Sequence, residues 1–67
     1  MLLTPSTAEE RVFQFVRQIG ELHATADEVA RQTGCDVGDT RHALDELVQR
    51  NLLRRFDVPG EVPVYWT

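Results

Sequence analysis

The chain has 67 residues, of which 42% are hydrophobic and 27% charged, and its formal net charge is −4. That length holds one domain, whose core removes only about 60% of the unfolded chain's surface from water and whose stability is on the order of 3–10 kcal/mol. A single cysteine, Cys35, excludes an internal disulfide framework; apolar runs of only a few residues exclude a membrane helix, and the apolar content excludes a disordered chain.

Met1-Leu2-Leu3-Thr4-Pro5 lacks the basic region and long apolar core of a secretory signal. The expectation is an intracellular protein, in cytoplasm, nucleus or an organelle. Residues 1–7 read as an N-terminal extension and 8–67 as the domain. The first helix opens at Ser6 or Thr7, where Thr7-Ala8-Glu9-Glu10 fits a capping box: the hydroxyl takes one free amide and Glu10 reaches back. Val12, Val16 and Ile19 follow at helical spacing with Phe13 and Phe15 beside them, and Gly20 is a stop, which predicts a helix over 8–19. A second box, Thr25-Ala26-Asp27-Glu28, opens a short helix with Val29 and Ala30 on its apolar face and Gly34 at its end. After the turn Gly34-Cys35-Asp36-Val37-Gly38, Asp36 caps a third helix over about 37–50, with Val37, Leu44, Leu47 and Val48 as its buried stripe. Asn51 suits the left-handed conformation at a helix end. Leu52–Val58 and Val62–Trp66 flank Pro59-Gly60-Glu61 as a β-hairpin, to which Leu22–Ala24 adds a short third strand. The order predicts an α+β fold, a winged helix-turn-helix of three helices with the hairpin as its wing.

All seven basic residues are arginine, opposed by eleven carboxylates. Tight non-specific binding of nucleic acid rests on phosphate neutralisation and is disfavoured by this balance, but a local basic patch is compatible with it. The outward face of the third helix carries Gly38, Arg41, His42, Asp45, Glu46 and Gln49. Arg41 and His42 suit phosphates or base edges, whereas Asp45 and Glu46 repel phosphate. Arg41 and Asp45 also stand i, i+4 and are expected to pair on a solvated surface, worth about 0.2–0.5 kcal/mol. Arg50, Arg54 and Arg55 form the densest basic cluster, read either as a phosphate clamp or as a helix C-terminal partner plus solvated strand residues. Tyr65 and Trp66 should face opposite ways along a strand, one on the core and the other toward the third helix or solvent. His23, His42 and Cys35 do not make a four-ligand metal pattern, and there is no phosphate-cradling glycine loop or catalytic triad. No enzyme, metal or cofactor is expected.

The same residues resemble the Zα family of Z-DNA and Z-RNA binding domains, over about residues 8–66. The resemblance lies in Glu9-Glu10-Arg11-Val12-Phe13-Gln14-Phe15-Val16 with Ile19-Gly20, in Ala24-Thr25 with the helix to Gly34, in Leu44 and Leu47, and in Pro63-Val64-Tyr65-Trp66, similar to a wing reading Pro-Pro-x-Trp. It implies a winged helix that holds the zigzag backbone of a left-handed strand by shape, through the third helix and the wing. It also implies a helix tyrosine that touches a syn base and packs on the wing tryptophan. Arg41 stands where the family has asparagine, His42 at a usually basic position, Asp45 at the tyrosine and Gly38 at a frequent lysine. Val64 replaces the second wing proline, and Pro63 and Trp66 match. The implied interface is Gly38, Arg41, His42, Asp45, Pro63, Val64 and Trp66, and the implied partner is double-stranded RNA or DNA, Z-form included, with weakened or altered binding. The alternative is a winged helix used for protein contact or self-association, without nucleic acid; a third is a regulator that reads B-form sequence with Arg41 on guanine.

Overall fold

A computed structural model of the chain describes residues 7–67; the first six residues of the N-terminal extension, with the Met1–Pro5 and Ser6 readings, lie outside the described residues. In chain order the elements are α1 (Ala8–Ile19), β1 (His23–Thr25), α2 (Ala26–Thr33), α3 (Val37–Gln49), β2 (Arg54–Phe56) and β3 (Val64–Trp66). The architecture is α+β: three helices and a three-stranded antiparallel sheet of order β1-β3-β2.

Each helix starts where a short polar side chain satisfies a free amide. Glu10 N donates to Thr7 Oγ1 at 3.1 Å, and Asp39 N donates to Asp36 Oδ2 at 3.2 Å. At α2 the box is reciprocal: Glu28 N donates to Thr25 Oγ1 at 3.3 Å and Thr25 N to Glu28 Oε1 at 3.0 Å. At α1 the described residues show only the hydroxyl half of the expected box. The bond from the Thr25 amide holds the Glu28 carboxyl below its ordinary value of 4.5, so the charged form is the stabilised one. This contribution is complete above that ordinary value and is lost as pH falls through the lowered one. Thr25→Ala is expected to cost about 1 kcal/mol and to lower Tm by about 4–8 °C, read by thermal circular dichroism at neutral pH.

The helices end on left-handed residues. Gly34 (φ 70) closes α2, with its amide on Ala30 O at 2.8 Å, and Asn51 (φ 62) turns the chain after α3. A non-glycine residue there costs little when it is asparagine, which tolerates this region.

Val12, Leu22, Ala26, Val29, Ala43, Leu44, Leu47, Leu53 and Tyr65 form the core, with Phe13, Phe15, Val16, Ala24 and Val48 packed against it. The buried stripe of α3 is Thr40, Ala43, Leu44 and Leu47. Val37 does not belong to it: this first residue of the helix is 38% exposed. The polar Thr40 enters the core one turn later because its hydroxyl donates to Asp36 O at 2.8 Å. Ile19, expected on the apolar face of α1, is also exposed, at the end of the helix.

The strands are shorter than their apolar runs. The Leu52 and Leu53 amides both turn back to Leu47 O, at 2.9 and 3.4 Å, so they complete the helix exit and the ladder begins only at Arg54. At the other end the Glu61 amide donates to Val58 O at 3.0 Å in the Pro59-Gly60 turn. The third strand lies one residue later than expected, over His23–Thr25. Leu22 is instead fixed to the C-terminus: its amide donates to Thr67 Oγ1 at 3.0 Å and its carbonyl accepts the Thr67 amide at 3.1 Å. Across the sheet the rows are His23–Trp66–Arg54, Ala24–Tyr65–Arg55 and Thr25–Val64–Phe56.

Candidate nucleic-acid interface

Alternation along β3 decides which aromatic side chain meets α3. Tyr65 is fully buried, and its hydroxyl donates to Asp45 Oδ1 at 2.6 Å. Trp66, the next residue, points to the other face of the sheet, where it shares a hollow of about 520 Å³ with His23, Phe56, Val58 and Val64. The Arg54 guanidinium lies over its ring, 5.2 Å from the centroid. The side chain that reaches position 45 is therefore Tyr65, not Trp66. This corrects the grouping of Trp66 and Val64 with the α3 residues: both lie on the outer sheet face. Pro63 precedes β3 and is half-buried.

The expected Arg41–Asp45 pair does not form. The same Asp45 oxygen accepts Tyr65 Oη and Arg55 Nη1, the latter at 2.8 Å, while Arg55 Nε donates to Asp57 Oδ1 at 2.9 Å. Two converging charge-assisted bonds, one from a buried phenol, outweigh an exposed i, i+4 pair in which the cation precedes the anion, the weaker orientation. Burial first, and then the bond to Asp45, raise the Tyr65 phenol well above its ordinary value of 10.0. Arg55's guanidinium is raised too, foremost by its bond to Asp57.

The three arginines of the cluster go to separate partners rather than converging on one anion site. Arg50 meets Glu46 at 3.5 Å and lies over Phe13, 5.4 Å from its centroid. Arg54 covers Trp66, and Arg55 bridges Asp45 and Asp57. Arg41 and His42 stay exposed, and neither side chain makes a hydrogen bond or ion pair among the described residues. Gly38 serves the helix start: a Cβ there would meet Asp36 Oδ2 at 3.0 Å, so its absence gives the capping carboxylate room.

Sequence reasoning missed the Asp45–Tyr65–Arg55–Asp57 network and the hollow behind Trp66. The signal for the hollow was present in the alternation Arg54, Phe56, Val58 and Val64, Trp66. Nothing in one dimension joined Asp45 to residues ten and twenty positions away. Among the described residues no three His, Cys, Asp or Glu side chains gather as a metal site, and no helix is long and apolar enough to cross a membrane.

No family model, curated protein or solved structure matches the chain.

Proposed function

We propose that residues 8–67 are a winged-helix module that contacts the phosphate backbone of double-stranded nucleic acid through the solvent side of α3, with Arg41 and His42 as the contact residues. The order of helix, short helix, turn, helix and hairpin supports this reading. The observation that carries it is the orientation of Asp45. Its carboxylate accepts from Arg55 and Tyr65, so it does not pair with Arg41, whose side chain is left without a partner among the described residues, while Glu46 on the same helix meets Arg50. An unpaired guanidinium on an exposed helix face suits a bidentate phosphate contact.

Recognition of backbone shape, the left-handed form included, is what the likeness to Zα adds. The helix-tyrosine and wing-tryptophan pair of that family has no counterpart here, since Asp45 and Tyr65 stand in that corner and Trp66 faces away. Binding is accordingly weak, with Kd on the order of 10⁻⁴–10⁻⁶ M near physiological salt. Mixing the protein with an alternating CG duplex tests the left-handed reading: inversion of the circular-dichroism spectrum supports it, and binding without inversion restricts the module to the right-handed form.

Arg41→Ala is expected to weaken duplex binding about tenfold and to reduce the slope of log K against log salt by about 1, uniformly across sequences. Fluorescence anisotropy over a salt series reads both quantities. An unchanged slope removes Arg41 from the interface.

A further inference from the structure

We propose that β2 is an edge along which two copies of this chain pair, antiparallel about a two-fold axis at Phe56. This goes beyond the nucleic-acid reading and stands whether or not α3 meets a duplex. In the order β1-β3-β2, β2 is an edge strand: among the described residues it pairs only with β3 and its other side is open. All three of its residues are exposed, and Phe56, at 60%, is a large aromatic side chain left without cover. An open edge with an uncovered aromatic residue is a template for adding a strand.

The local sequence selects the partner and the register. Residues directly opposite in an antiparallel sheet point to the same face, and a two-fold axis through the sheet preserves faces, so the axis must fall on one residue position. Centring on Arg55 sets two guanidinium groups against each other. Centring on Asp57 does the same with two carboxylates. Centring on Phe56 sets Arg55 opposite Asp57 of the second copy, twice, with Phe56 on Phe56 between them and the Arg54 stem beside Val58. Opposite charges and paired aromatics in direct register stabilise a ladder, and like charges oppose it. Arg55-Phe56-Asp57 is thus self-complementary in charge in this register: the Arg55–Asp57 pair already made within each chain meets its inverted copy across the axis, cation opposite anion. The flanking Pro59 limits the added ladder to about the Arg54–Val58 stretch, because proline donates no hydrogen bond. The two hollows behind Trp66 then lie on one continuous face.

Sedimentation equilibrium on the whole chain should show a reversible monomer–dimer equilibrium that persists in 0.5 M salt (about a 4–5 Å Debye length). Phe56→Asp should abolish it, with an unchanged far-ultraviolet spectrum because Phe56 supports no core contact. Opposite Cα atoms lie about 4.5–5.5 Å apart, within disulfide range, so Phe56→Cys on a Cys35→Ser background should oxidise to a cross-linked dimer at least about tenfold faster than Val58→Cys on the same background. A strictly monomeric chain, a Phe56→Asp variant that still dimerises, or equal cross-linking at 56 and 58 each overturns the proposal. None of these readouts involves nucleic acid, so failure here and failure of duplex binding are separable.

Discussion

Leu44→Ala is expected to remove most of the stability of this chain. Leu44 is fully buried at the centre of the α3 stripe, in contact with a core built from all three helices, Leu53 and Tyr65. Truncating such a leucine costs about 2–5 kcal/mol, the lost transfer energy plus the cavity left behind. A chain of this length has on the order of 3–10 kcal/mol in total. Urea unfolding followed by circular dichroism should therefore show a midpoint near zero denaturant or a large unfolded baseline in water. Leu52→Ala, at an exposed position on the helix exit, should stay within about 0.5 kcal/mol of the parent. Equal effects at 44 and 52 would mean that α3 is not packed as described.

Tyr65→Phe is expected to cost about 1–2 kcal/mol at pH 7 and to change the alkaline limb of stability. The ring remains, so packing is retained, and only the hydroxyl's bond to Asp45 is lost. Bonds to a charged partner contribute about 1.5–3 kcal/mol, and the lower end applies here because Asp45 is about a third exposed and water screens it. The sign of the pH effect follows from the raised phenol. In the unfolded chain tyrosine ionises near its ordinary value of 10.0, whereas in the fold burial and the adjacent carboxylate hold the proton on. The stabilisation is complete below that ordinary value and is lost as pH rises above it toward the raised one. The parent's melting temperature should fall from about pH 10 upward, and that of Tyr65→Phe should fall less over the same window. Thermal melts between pH 7 and 11 measure this. Parallel curves would mean that Tyr65 titrates in the fold as it does unfolded.

The helices were legible in the sequence because their signals are local. Thr25 and Glu28 stand three residues apart and form the expected box, and Gly34 and Asn51 take the left-handed conformations their positions call for. Leu44, Leu47 and Val29 were legible as core for the same reason, since helical spacing alone puts them on one face. Val37 shows the limit of that rule: spacing assigns a face, but burial also needs a neighbouring element beside that turn. The strand ends were missed because Leu52 and Leu53 read as β-rich, yet their amides are claimed by Leu47 O as the helix unwinds. The site was the least legible. A one-dimensional rule offers Asp45 to Arg41 four residues away, while the fold delivers Tyr65 and Arg55 from the hairpin, and two long-range bonds prevail over one weak local pair. That exchange of partners frees Arg41, and the resemblance to Zα does not supply it, because that family has other residues at both positions.

Titrating the chain with matched duplexes, Z-prone and Z-resistant, as DNA and as RNA, at two salt concentrations tests the central claim most directly. Saturable binding to duplex is expected that weakens steeply as salt rises and that loses about one unit of salt slope in Arg41→Ala. No binding to any duplex at low salt, or binding indifferent both to salt and to Arg41, would contradict it.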